Sequence, residues 1–216
     1  EYPFRVGKYP VTNAQFQRFV GAGGYERANG WFSEEAQREI EKFWGSWPTG
    51  PRLQDNPDFN RPTQPLVGVS WYEAAAYAAW LTAELQEKGE IGEDQAVRLP
   101  TVAEWQRVAA GTEGREYPWG SDFDLRRTNS TESGLDQPTP VHMYPAGATP
   151  ERVFDLSGNV WEWTADLDED GWGRLVGGAY WSDAEGVNTA ARDVLHRSGG
   201  GVDIGFRVVV VPISRL

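Results

Sequence analysis

The chain has 216 residues, a formal charge of −12, no cysteine and only two histidines, His142 and His196. These counts exclude disulfides, thiolate nucleophiles and zinc–thiolate or thiolate–copper sites, and a two-histidine-one-carboxylate iron centre would need both histidines at once. The acidic balance argues against nucleic acid, whose phosphates require clustered Lys and Arg, and suits cationic partners or bound divalent metal.

A chain of this length buries roughly 70–75% of its unfolded surface. With 11 tryptophans, 25 glycines and 14 prolines, a loop-rich fold with aromatics in the core is expected. No apolar run is long enough to span a bilayer, and no charged-then-apolar leader opens the chain. Starting at Glu1 without a methionine, it reads as an excised domain. The missing cysteines fit a reducing compartment, so a cytoplasmic location is expected. No internal repeat or domain-splitting linker is visible, and 1–216 reads as one domain.

In chain order, residues 2–11 alternate like a strand, with Phe4, Val6 and Tyr9 among polar neighbours. Thr12-Asn13-Ala14-Gln15 is a capping box, the hydroxyl taking one free amide and Gln15 reaching back for another. The helix it opens should bury Phe16, Phe19 and Val20 before Gly21-Ala22-Gly23-Gly24 ends it. Residues 25–65 carry Tyr25, Trp31, Phe32, Phe43, Trp44 and Trp47 and read as an insertion packed through its own aromatics, since disordered segments are poor in them. A short helix is expected over 33–42. Pro65 to Val69 reads as a strand, and Ser70-Trp71-Tyr72-Glu73 is a second capping box. Its helix carries Trp71, Ala74, Ala75, Ala78, Leu81 and Leu85 at helical spacing. Val97 to Pro100 is a brief strand. Thr101-Val102-Ala103-Glu104 is a third box, opening a helix that buries Trp105, Val108 and Ala109. A turn-rich hairpin follows over 111–120.

Asn129 to Leu135 is polar and turn-forming, and reads as a plain loop or a cation loop. Thr139 to Tyr144 alternates as a strand carrying His142, where a structural role is expected. Phe154 to Trp163 then packs Asp155, Asn159, Glu162, two tryptophans and several carbonyls into one loop-to-strand passage. Hard cations favour such oxygens; equally, the segment reads as a strand start that buries Trp161 and Trp163 and leaves the acids in water. Arg174 to Trp181 is a strand with a glycine pair, 182–203 is loop-like, and Ile204 to Val211 is a β-branched terminal strand.

Seven motifs carry a resemblance: Lys8-Tyr9-Pro10-Val11-Thr12-Asn13, Pro65 to Trp71, Arg98 to Trp105, Tyr117-Pro118-Trp119-Gly120, Gly158 to Trp163, Gly177-Gly178-Ala179-Tyr180 and Ile204-Gly205-Phe206-Arg207. In this order they resemble formylglycine-generating-enzyme (sulfatase-modifying factor) domains over nearly the whole chain. The resemblance implies an α+β, C-type-lectin-like fold of short antiparallel sheets, two main helices and many loops. It implies structural calcium held by the side chains of Asp155 and Glu162 and the carbonyls of Gly158 and Val160. A second ion maps to Asn129, the Ser130 carbonyl, Ser133 and the Leu135 carbonyl. There a serine replaces a carboxylate, which weakens the site because affinity follows ligand charge.

The enzymes of that family hold copper on a cysteine pair between the Gly-Gly and Gly-Phe-Arg motifs. Here residues 181–192 contain no thiol, and the extra helical domain from which related sulfoxide synthases bind iron is absent. Neither kind of catalysis is therefore expected, and no catalytic residue is assigned. The chain is most similar to the variable proteins of diversity-generating retroelements, whose randomised codons precede a terminal Ile-Gly-Phe-Arg. Adenine mutagenesis of such codons cannot reach Glu, Lys, Gln, Met or Trp, and Gly186 to Asp203 contains none of them.

The resemblance thus implies a non-catalytic scaffold displaying a diversified face over 177–211, for an unidentified protein or other ligand. Candidate contacts are Trp181, Ser182, Asp183, Gly186, Asn188, Asp193, Val194, Leu195, His196, Ser198, Gly199, Gly200, Val202 and Asp203; an aromatic among small polar residues is a workable paratope. Arg192 and Arg207 are expected to brace the scaffold. Two competing readings remain: a metal-dependent oxidase with non-cysteine ligands, and a sensory domain cut from a signalling protein with 25–65 as its partner surface.

Overall fold

The computed structural model describes residues 2–215. Its helices are α1 (Asn13–Gly21), α2 (Glu34–Trp44), α3 (Trp71–Glu87) and α4 (Val102–Ala110). All three expected capping boxes form, at Thr12, Ser70 and Thr101, each with reciprocal bonds to the residue three positions on. Each box satisfies donors that a helix start otherwise leaves open. Ser33 caps α2 through the Ala36 N–H. Among the described residues the four α-helices stand where the sequence predicts them, three behind the capping boxes and α2 in the insertion, with α3 the longest at 17 residues.

Seven short strands form two sheets: β1 (Arg5–Val6), β2 (Gln95–Arg98), β3 (Trp161–Leu167), β4 (Gly173–Val176), β5 (Arg192–Leu195), β6 (Ile204–Phe206) and β7 (Val209–Pro212). The first sheet has the order β1-β7-β2 and is antiparallel. The second has the order β5-β4-β3-β6; its β3–β6 pair is parallel, with Trp163 beside Phe206, so the sheets are not all antiparallel as expected. The α+β class is the one expected.

The main core cluster is aromatic and joins α1, α2 and α3 to β3 and β6, while α4 packs with β4 in a second cluster and α3 with β2 in a third. Phe16 stacks on Tyr77 at 5.3 Å between centroids and meets Phe206 edge-on at 6.3 Å. Trp163 is fully buried and donates its indole N–H to the Val69 carbonyl at 3.0 Å. Tyr25, Phe32, Ala36 and Ile40 from the insertion belong to this same cluster. The insertion therefore completes the main core rather than packing only on itself. No helix among the described residues is long and apolar enough to cross a membrane.

Several sequence expectations change. Of residues 2–11 only Arg5–Val6 is strand. Pro65 to Val69 is buried but makes only an isolated bridge, between Thr12 and Pro65; Leu66 and Gly68 donate instead to the carbonyls of Val11 and Gly201. Residues 139–144 turn, with His142 at φ 68°, where alternation cannot place a strand. The 182–203 stretch contains β5, and the terminal strand is broken into β6 and β7, on different sheets. On α3, Tyr72, Glu73, Ala76, Tyr77 and Trp80 are buried alongside Ala74 and Ala78, while Trp71, Ala75, Leu81 and Leu85 are only half-buried. The helix is covered on two sides, by α1 and by β2, so a single stripe underestimates its buried face.

Candidate functional site

The segment before β3 is shaped by two residues in the left-handed region, Asp155 at φ 54° and Asn159 at φ 69°, the latter a residue type that tolerates it. Glu162 on β3 then points inward. Both its oxygens are held at 2.6 Å by Arg207, and Oε2 also accepts the Trp105 indole N–H at 2.9 Å. Arg207 does brace the scaffold as expected, donating further to the carbonyls of Gly7, Phe154 and Asp155.

Asp155 is placed differently. Its carboxylate accepts a long 3.3 Å bond from the His142 N–H. Burial pushes its carboxyl up to about 6, opposed by that bond and Arg207 and reinforced by nearby Glu162. Arg207 grips the Glu162 carboxylate and meets Asp155 only at its backbone carbonyl, which leaves the Asp155 carboxylate the freer oxygen donor. The Gly158 carbonyl already accepts the Val160 N–H at 2.9 Å. Among the described residues no group of three or more acidic or histidine side chains is placed to hold a metal ion; Asp155 alone has oxygens to spare for a hard cation, and Glu162 could join only by giving up part of its hold on Arg207.

The second loop packs onto the first. Asn159 donates its N–H to the Asn129 carbonyl at 2.8 Å, and Asn129 Nδ2 reaches Asn159 Oδ1 at 3.2 Å. Asn129 Oδ1 accepts the Ser133 hydroxyl at 2.9 Å, and the Ser130 carbonyl accepts the Ser133 N–H. These oxygens serve the loop itself. Leu135, whose carbonyl was assigned to the same ion, lies exposed beyond the turn.

The C-terminal candidates divide into two groups. Ser182, Asp183, Gly186 and Asn188 form a capped turn: the Ser182 carbonyl accepts the Thr131 N–H, Asp183 Oδ1 accepts the Gly186 N–H, and Asn188 Oδ1 accepts the Ala190 N–H. Ser182 is buried there. Trp181, Asp193, Val194, Leu195, Gly199, Gly200 and Asp203 instead surround a cavity of about 390 Å³. Sequence reasoning missed its other walls, Phe43, Trp44, Trp161, Leu175, Gly201 and Ile204. The aromatic density of the insertion was visible, but nothing in the sequence said that it meets the C-terminal loop.

That meeting is well defined. Trp44 donates its indole N–H to the Ser198 carbonyl at 2.8 Å, and His196 stacks on Phe43 at 5.1 Å. Ser198 is fully buried and so serves as a strut, not as a contact. Val202 is exposed at the edge, and Trp181 is 55% exposed with its indole N–H on Asp203 Oδ2 at 2.9 Å. Burial raises the Asp203 carboxyl above its ordinary range; the Trp181 bond opposes this and the Asp193 charge adds to it. Arg192 gives its guanidinium to the carbonyls of Thr189 and Ala191, bracing the strand as expected.

The profile of the sulfatase-modifying factor enzyme 1-like domain matches residues 2–212. The chain belongs to this family. It is 34% identical over 173 residues to the hercynine oxygenase of Mycolicibacterium thermoresistibile, covering 75% of this chain and 35% of that protein. It is 31% identical over 251 residues to the inactive C-alpha-formylglycine-generating enzyme 2 of Bos taurus, covering 95% of this chain and 76% of that one. Among solved structures, Treponema denticola variable protein 1 matches with a TM-score of 0.68 at 17% identity, covering 97% of this chain and 84% of that one. PvdO from Pseudomonas aeruginosa matches with a TM-score of 0.71 at 21% identity, covering 96% and 80%. These two likenesses establish the fold, in keeping with the C-type-lectin-like expectation.

One expectation falls here. The missing cysteine pair implied a chain without catalytic activity, yet relatives 32–34% identical to it are named hercynine oxygenases. The likeness to proteins named as oxygenases overturns the expectation of no catalysis. The chain spans only 35–37% of the length of those oxygenases.

Proposed function

We propose that this chain is a ligand-binding domain whose binding face is built from the 177–211 region together with the aromatic insertion. A single observation carries the reading: seven residues picked from the C-terminal sequence close around one cavity, with Phe43 and Trp44 as its opposite wall. The sheet beneath is braced by Glu162 and Arg207, and the exposed positions Trp181, Asp193, Val194 and Val202 can vary at little cost to the core. The fold shared with Treponema denticola variable protein 1 supports the same reading. Calcium at the loop before β3 would hold that scaffold through Asp155.

The test is a thermal-shift screen of peptides and small molecules on three forms of the chain. Ligands of the face stabilise the wild type and the exposed-surface variant Glu151→Ala, and lose their effect on Trp181→Ala. If every stabilising compound acts equally on all three, the reading is wrong.

A second reading is favoured by the 34% identity to a hercynine oxygenase: the same cavity as the substrate site of an oxygenase that a further part of a longer protein would complete. Metal-dependent oxygen uptake by the chain, abolished in Trp181→Ala, would favour it.

A further inference from the structure

The cavity beside Trp181 is acidic and aromatic at once. We propose that it takes a cation, and that its occupant is an arginine or lysine side chain presented by a basic segment of a partner protein. The proposal rests on the reading that this face binds a ligand, and names the chemistry of that ligand.

Asp193 and Asp203 both line the cavity, and no Lys, Arg or His does. Asp203 is only 8% exposed, and its Oδ2 is met by a neutral donor, the Trp181 indole, at 2.9 Å. A carboxylate in such a place is short of compensating charge, and an incoming cation is held more strongly there than in water. Two arginines of the neighbouring segments are committed elsewhere. Arg197 pairs with Glu35 at 2.8 Å, and Arg52 lies over the Trp44 ring at 3.5 Å from its centroid. That second contact shows that a wall of this cavity already accepts a guanidinium on its ring.

The aromatic rim has the matching property. Trp181 is 55% exposed and supplies the open ring at the rim, whereas one face of the 45% exposed Phe43 is covered by His196; ring faces attract cations. An indole face beside two carboxylates selects positive charge over a neutral apolar group. The rest of the lining is largely apolar, Phe43, Val194, Leu195 and Ile204 among it, which suits the aliphatic stem of an arginine or lysine better than a hydrated metal ion. The chain's charge of −12 would draw in a basic segment from solution.

The test titrates the whole chain with acetyl-Gly-Arg-Gly-amide, with the same peptide carrying citrulline in place of arginine, and with acetyl-Gly-Glu-Gly-amide. Citrulline keeps the shape and removes the charge. The readout is the indole N–H resonances of Trp161 and Trp181, assigned with Trp→Phe variants. The arginine peptide is expected to shift both, and the citrulline peptide to bind about tenfold more weakly, as loss of a desolvated cation–π and charge contact requires. Asp193→Asn, at an exposed position, should weaken the arginine peptide about threefold or more with Tm unchanged, and added salt should weaken it further. Equal binding of the arginine and citrulline peptides at these indoles, or tighter binding of the glutamate peptide, overturns the cationic proposal and leaves the binding face standing. No response of either indole to any of the three peptides also overturns it, and the face is then judged by the thermal-shift screen alone.

Discussion

Glu162 and Arg207 meet through two contacts of 2.6 Å, both side chains out of water. The guanidinium spends its remaining donors on three carbonyls, of Gly7, Phe154 and Asp155. One side chain thereby ties the segment after β1, the loop before β3 and the link between β6 and β7. Arg207→Met should cost about 3–5 kcal/mol in chemical denaturation, because it strands a buried carboxylate. Arg207→Lys should recover little, since a point charge cannot serve a planar fork. A lysine variant within about 1 kcal/mol of wild type would show that the geometry is not what matters.

Glu104 governs an acid-side effect. Burial opposes its charge, but hydrogen bonds from Arg98, Tyr2 and the Thr101 N–H outweigh this and hold the carboxyl at about 2. Arg98 grips both its oxygens, at 2.7 and 2.8 Å. The folded value lies below the unfolded one, so this stability is present above about pH 4.5 and is lost as the pH falls toward 2. The contribution is about 2–3 kcal/mol at neutral pH. Glu104→Gln should lower stability at pH 7 by that order and flatten the decline between pH 4.5 and 2; an unaltered acid limb would refute the assignment.

Calcium can be tested through Asp155. Calcium should raise Tm relative to EDTA in the wild type, and Asp155→Asn should abolish the difference by removing the least committed carboxylate. Equal Tm values with calcium and with EDTA in the wild type would rule out an ion there.

Two glycines separate strain from space. Gly178 has φ 75° and Gly171 has φ 80°, so alanine is strained at both. A Cβ on Gly178 would also strike the Gly186 carbonyl oxygen, whereas one on Gly171 meets nothing within 4 Å. Gly178→Ala should cost about 2–4 kcal/mol, and Gly171→Ala about 1 kcal/mol. Similar losses at the two positions would mean that the Gly178–Gly186 approach is not tight.

The parts of the molecule that were legible were those written in local chemistry. A capping box names its own donors and acceptors, so Thr12, Ser70 and Thr101 located three helix starts from four residues each. The Gly-Phe-Arg motif marked Arg207 as a brace, although not its partner. What the sequence hid was non-local. Nothing near Phe43 says that it will face Asp193, 150 positions along the chain, since the contact is set by how the insertion folds onto the core. Alternation misled at 139–144 because His142 turns out of the strand region, and at 204–211 because a continuous β-branched run carries no sign of changing sheets. For Glu162 the resemblance implied an ion ligand, and no local pattern could show the guanidinium that already holds both its oxygens.

The break between β6 and β7 has a consequence for how the molecule comes into being. Val209–Pro212 is the central strand of its sheet, with β1 on one side and β2 on the other. Val210 pairs with Arg5 and with Val97. Neither of those earlier strands has its partner until Val209–Pro212 has been synthesised. Loop closure over some two hundred residues then precedes any reward from pairing, a contact order expected to slow folding. As the chain is made from its N-terminus, the first sheet therefore exists only as two waiting edges until Val209–Pro212 arrives between them.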